Sequence, residues 1–250
     1  NMAGHSKFKN IMHRKGAQDK KRAKEFSRLG REISVAVKVG GDDPESNNRL
    51  RSAITSAKGL NMPKDNIERA IKKGQGNDPD SNYEDVRYEG YGPAGVAIIV
   101  EALTNNKNRT AAEIRSTFSK FGGNLGETGS VSFSFERLGN ISLNKSLVNE
   151  EDLFDFLIDN ETDDYDITED NYVIYCDQNR LHDLNDKIIQ TYGQTNYSNL
   201  IWKSKNNINI NKETAVKLFK LLEILEDNDD VQGVSSNFEV DEAVMSSLTS

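Results

Sequence analysis

Lys7, Lys9, Arg14, Lys15, Lys20, Lys21, Arg22 and Lys24 crowd one short stretch near the start of the chain, with Phe8 and His13 among them and a single acid, Asp19, between Lys7 and Lys24. Cations this dense lack the acidic i to i+4 partners that neutralise a solvated helix face. The chemistry open to them is binding of a polyanion, in which each phosphate neutralised releases condensed counterions. Phe8, His13 and the guanidinium of Arg14 add flat groups able to stack on bases, which is more useful against unpaired RNA than against a duplex. Arg28 and Arg31 continue the basic series beyond the arm.

Catalytic chemistry finds little support. The three histidines, His5, His13 and His182, show no metal-ligand spacing, and one cysteine, Cys176, makes a structural zinc site implausible. Cys176 lies in the apolar alternation "YVIYC" and reads as a buried packing residue. The glycine-rich stretch "FGGNLGETGS" (121–130) fits neither dinucleotide nor P-loop spacing and follows a helical pattern, so it reads as a helix stop and turn. The clusters "ETDDYD" and "EDNDD" lack the spacing of a calcium loop. The chain is therefore read as non-enzymatic, with no cofactor and no metal. In "TNNKNRT" (104–110), Asn108, Arg109 and Thr110 fall where a strand hands over to a helix N-terminus, a natural anion site, and they are secondary binding candidates.

Charge is distributed unevenly. The 250-residue chain carries a net charge of -8, yet residues 1–76 hold 18 Lys and Arg against 8 Asp and Glu, while residues 77–250 hold 14 against 32. A basic segment on an acidic body points to nucleic-acid binding by the segment and a different role for the body. No apolar run approaches membrane-spanning length, and a single cysteine suits a reducing compartment, so the expectation is a cytoplasmic protein without a membrane partner. Asn1 precedes Met2, which is read as the native start.

The elements that must position these residues follow from periodicity. Residues 2–16 lack a clean apolar stripe and read as an irregular arm. Helical spacing begins at Ala17 and carries Phe26, Leu29, Ile33, Ala36 and Val37 to a stop at Gly40 and Gly41. A second helix is expected from Pro44 to Gly59 and a third from Pro63 to Gly74. After the linker "GQGNDPDSN" the pattern alternates: strand "VRYEGY", strand "GVAIIVEALT", helix 108–123 and strand "GSVSFSFE". Residues 138–205 then read β-α-β-β-α-β, the split pattern of a ferredoxin-like domain. The strand "NINI", helix 212–230 and strand "VQGVSSNFEV" complete the unit begun before the insertion.

The predicted fold is α+β: a small N-terminal helical bundle followed by two ferredoxin-like α/β domains, one inserted in the other. Its boundaries are 1–81 for the basic arm and helical domain, 82–137 plus 206–241 for the discontinuous domain, 138–205 for the inserted one, and 242–250 for a flexible tail.

The stretches "MAGHSKFKNI", "HRKGAQD", "MPKDNIERAIKKG", "YEGYGPAGVAIIVE", "NRTAAEIRSTFSKFGGNLG", "VSFSFER" and "LEDNDDVQGVSSNFEV" resemble the YebC family. Two positions depart from it: Phe8 stands where a tryptophan is common, and "NLIWKSKNNINI" replaces a stretch that is often apolar with a proline. The resemblance implies three domains and no catalytic residue. It also implies ribosome association, with ribosomal RNA as partner, and assistance to elongation through sequences such as proline runs. A DNA-binding transcriptional regulator is the competing reading, but no dimer signature accompanies the basic helix; a monomer is expected.

Overall fold

The computed structural model describes residues 4–14 and 18–249, and its architecture is α+β. In chain order the elements are α1 (Gly4–Arg14), α2 (Gln18–Gly40), α3 (Asn48–Gly59), α4 (Lys64–Gln75), β1 (Glu84–Tyr91), β2 (Ala97–Thr104), α5 (Lys107–Lys120), β3 (Asn124–Leu125), β4 (Phe135–Asn144), α6 (Glu150–Asp159), β5 (Asp164–Ile167), β6 (Asn171–Asp177), α7 (Leu181–Tyr192), β7 (Tyr197–Ser204), β8 (Ile208–Asn209), α8 (Lys212–Asp227), β9 (Val231–Ser236), β10 (Phe238–Glu239) and α9 (Glu242–Thr249).

Asparagine starts four of these helices. Asn47, Asn106, Asn149 and Asn211 each accept a hydrogen bond from the backbone N–H three residues on, satisfying a donor that the first helical turn leaves open. This moves the start of α3: Pro44 lies in a turn before the helix, and the Asn47 cap fixes the first helical residue at Asn48.

The chain divides into two compact units. In the first, residues 24–81 and 137–201, Ile33, Val37, Leu50, Ala57, Ile67 and Ala70 close the core of a helical bundle. α2 and α4 meet at Gly74, where an added Cβ would lie 2.4 Å from the Ser34 carbonyl oxygen; Ser34 Oγ donates to the Ala70 carbonyl at 2.7 Å. The same unit holds a sheet of order β5-β6-β4-β7, antiparallel across β5–β6 and β4–β6. Ile141, Leu143, Ile174 and Cys176 pack from this sheet against Leu153 and Leu157 of α6 and Leu184 and Ile188 of α7. Burial pushes the Cys176 thiol up to about 11, so it packs as an inert small side chain.

The second unit comprises the described residues up to 23 together with 82–136 and 202–249. Its sheet runs β3-β1-β2-β9, antiparallel at β1–β2, β1–β3 and β2–β9. Counting β2, β3, β1 and β9 as first to fourth gives the order of the other sheet, so this is the split β-α-β plan with its third strand moved to the front of the chain. One face packs on α5 and α8 through Ile98, Val100, Ile114, Phe118, Leu218 and Leu222. Across the other, Ala97 and Ile99 meet Val131 and Phe135. β8 and β10 form a separate parallel pair.

Three local expectations are corrected. Residues 4–14 form a helix, because Phe8, Ile11 and Met12 share a face that packs into the core of the second unit. The terminal segment is helical to Thr249, held where Met245 is buried in that core. Residues 129–134 are a turn-rich loop, and β4 begins only at Phe135, because the N–H groups of Gly129, Val131 and Ser132 are taken by a carboxylate described below and those of Ser130 and Ser134 by carbonyls within turns.

Candidate nucleic-acid interface

The basic residues that the structure describes fall on two helices, α1 and α2. On α1, Phe8, Ile11 and Met12 face the core, which leaves Lys9, His13 and Arg14 exposed and Lys7 half-buried. Lys9 lies 3.6 Å from Glu226, so this cation faces an acid of its own unit. At the start of α2, Lys20 and Arg22 are exposed. Lys21 is partly buried and its ammonium donates to the Met12 carbonyl oxygen in the last turn of α1, where orphan carbonyls and the negative dipole end favour a cation. Desolvation lowers the pKa of this amine. Lys21 therefore ties the helices together, and Arg14, Lys20 and Arg22 flank the tie.

Farther along α2, Lys24, Arg28 and Arg31 are half-buried, and with Lys20 they recur at spacings of four, four and three, one face of a helix. Arg28 bonds Glu25 at 3.0 Å. Lys15 lies outside the described residues.

Phe8 is the clear correction. Only 2% exposed, its ring stands 4.7 Å from that of Phe219 and 6.5 Å from that of Phe238, so it is a core residue with no face left for a base. His5 anchors the same helix from inside the fold. Its Nε2 lies 2.8 Å from the Val234 carbonyl oxygen, which can only accept, so Nε2 carries the proton and Nδ1 accepts from Ser236 Oγ at 2.5 Å. Burial, with the positive Lys9 nearby, drives the His5 pKa down to about 3 against the hydrogen bond to Val234.

Two segments with the chemistry of anion sites are filled by the protein's own carboxylates. At the N-terminus of α5, Arg109 donates to Asp230 Oδ2 at 2.9 Å and Thr110 Oγ1 donates to the same oxygen at 2.7 Å. Asn108 is exposed beside them. Arg109 and Thr110 thus hold the turn before β9 to α5, which corrects their reading as a site for an outside anion. In the glycine-rich loop, Gly129, Val131 and Ser132 donate their backbone N–H groups to the carboxylate of Glu89, at 2.7 Å, 3.2 Å and 2.7 Å, and Arg87 adds a fourth donor at 3.0 Å. Burial raises the Glu89 pKa, but these donors outweigh it and the net shift is downward. Glu89 is fully buried, and its role was not legible in the sequence, since it is one of three acids in a polar strand, "EDVRYEGY", and nothing local marks it as the one that is buried.

Among the described residues no group of His, Cys, Asp and Glu is placed to hold a metal ion, and no helix is long and apolar enough to cross a membrane. Residues 6–77 match the family described as the TACO1/YebC protein N-terminal domain, and residues 83–238 match that described as the TACO1/YebC second and third domain. The fold is similar to that of a conserved hypothetical protein from Aquifex aeolicus whose crystal structure is known. The two are 45% identical over 93% of this chain and 96% of that one, with a TM-score of 0.85.

Proposed function

The chain belongs to the TACO1/YebC family of translational activators or transcriptional regulators, and from that membership we propose a non-enzymatic, ribosome-associated factor that binds ribosomal RNA through its basic N-terminal helices and assists elongation at stalling sequences such as proline runs. The observation that carries this reading is the clustering of exposed Arg14, Lys20 and Arg22 around the α1–α2 junction, continued by the basic face of α2. Such a cluster gains free energy from phosphates by releasing their counterions. The acidic remainder of the chain is repelled by the same phosphates and orients the molecule with its basic helices toward the RNA. With Phe8 and Lys21 holding the fold, the contact is made by phosphate-directed cations, and His13 is the exposed ring beside them.

The test is sedimentation of the tagged protein with ribosomes from lysate, with and without nuclease, across a salt series. Co-migration that survives nuclease and weakens steeply with salt is expected. Replacing Lys20, Arg22 and Lys24 by Ala while keeping Lys21 should weaken it and flatten the salt slope by roughly one unit for each phosphate no longer neutralised. Unchanged co-migration of that variant would remove the basic helices from the interface. Migration at the top of the gradient with retention on promoter DNA would favour the transcriptional reading.

A further inference from the structure

We propose that the second unit carries another contact for unpaired RNA, with Phe133 as the stacking residue and Lys205 beside it as the phosphate-directed cation. The inference rests on the reading above that the partner is RNA. Phe133 is 68% exposed, the largest exposure of any aromatic side chain among the described exposed hydrophobics. It sits at a loop tip made rigid from beneath: the buried Glu89 carboxylate takes the N–H groups of Gly129, Val131 and Ser132, the residues leading to Phe133. Val131 and Phe135 on either side are anchored in the core. A ring held out to water by a locked loop loses little conformational freedom on binding, so its stacking energy is retained.

What surrounds the ring selects the partner. The Lys205 N–H donates to the Ser134 carbonyl at 2.9 Å, placing the exposed run Lys205, Asn206 and Asn207 alongside the loop. Tyr91, 41% exposed, donates its hydroxyl to the Ser130 carbonyl of the loop at 3.4 Å. The loop residues 128–135 and the run 202–212 carry no acid themselves, with Glu127 and Glu136 at the edges of the loop, in a part of the chain that is otherwise strongly acidic. An exposed aromatic ring beside a lysine and side-chain amides matches an unpaired base, through its π-face, its phosphate and its hydrogen-bonding edge. A duplex offers no free face to the ring.

The experiment uses the full chain with a fluorescently labelled oligouridylate read by anisotropy, and RNA duplex as comparator. Phe133→Ala should weaken oligouridylate binding about tenfold, leave duplex binding unchanged, and leave the melting temperature where it was. Phe133→Trp should bind at least as tightly and add a fluorescence quench on binding. Lys205→Ala should lower the salt slope, which Phe133→Ala should not. Unchanged oligouridylate affinity in Phe133→Ala overturns the proposal, as does loss of binding to a ribosomal protein with RNA binding intact. The Lys20, Arg22 and Lys24 variant is run in parallel. A Phe133 effect that persists while that variant still co-sediments with ribosomes overturns the basic-helix reading alone. Loss of co-sedimentation in that variant with no Phe133 effect overturns this one alone.

Discussion

Phe8 and Phe219 lie with ring centroids 4.7 Å apart, an aromatic contact between the first described helix and a helix more than two hundred residues later. The residue whose sequence setting suggested base stacking is instead the peg that fastens the basic N-terminus to the second unit. Phe8→Ala should destabilise that unit by about 3 kcal/mol, through lost burial and the cavity left behind. Phe8→Leu should cost clearly less. Urea unfolding of the two variants decides this, and a destabilisation by Phe8→Ala below about 1 kcal/mol would contradict the packing described.

Stability should fall as pH drops from about 6.5 toward 5. The folded state holds His5 neutral with a pKa near 3, whereas the unfolded chain takes up its proton near 6.5. The contribution is complete above the unfolded value and is lost progressively as pH falls toward the folded one, with a slope approaching about 1.4 kcal/mol per pH unit. His182, whose pKa is also lowered by burial, acts in the same window. Comparison with a His5→Gln variant isolates the His5 share: its urea midpoint should be lower at pH 7.5 and flatter between pH 7 and 5. Equal pH slopes for both proteins would refute the buried neutral imidazole.

Asp230→Asn should loosen the join between α5 and β9. The carboxylate accepts from Arg109 and Thr110 and is 7% exposed, whereas the Arg109 side chain is 44% exposed and recovers part of its solvation when released. A loss of about 2 kcal/mol is expected, between the values for a neutral hydrogen bond and a fully buried ion pair. Amide exchange should rise first at the N-terminus of α5 and the start of β9.

The four asparagine caps should differ in worth. Asn149 and Asn211 are exposed and serve only the helices they start, so alanine there should cost about 1 kcal/mol. Asn47 is buried, and besides capping α3 its amide donates to the Ala36 and Gly41 carbonyls at 2.8 Å each. Asn47→Ala strands two carbonyls as well as a donor and should cost about 3 kcal/mol. Thermal melts of the three variants rank them directly.

Most elements were legible because their causes are local. Helical spacing in Phe26, Leu29, Ile33 and Val37 is set by 3.6 residues per turn, and alternation in "YVIYC" by the two-residue pleat. The asparagine caps are local causes too, but the sequence reading starts α3 at Pro44 and only the structure moves it to the Asn47 cap. The split β-α-β order of residues 138–205 followed from those patterns and from the rule that neighbouring elements pack together.

The sequence by itself determined most of the helices and strands, though not α1, α9 or the loop at 129–134, and the crowding of positive charge at one end of an acidic chain, since composition and short-range spacing suffice for these. Only the tertiary structure decided what that charge and its neighbours could do. It buried Phe8 and His5 against residues 219 to 238, turned Lys21 into a helix tie, and filled two anion-like sites with Asp230 and Glu89. It also left Phe133, outwardly one more residue of an alternating strand, as the ring exposed to water. Apart from the Lys21 tie to Met12, nine residues away, each outcome depends on a partner dozens to hundreds of residues away. No local period encodes which distant carboxylate a donor will meet or which aromatic ring will reach the core first.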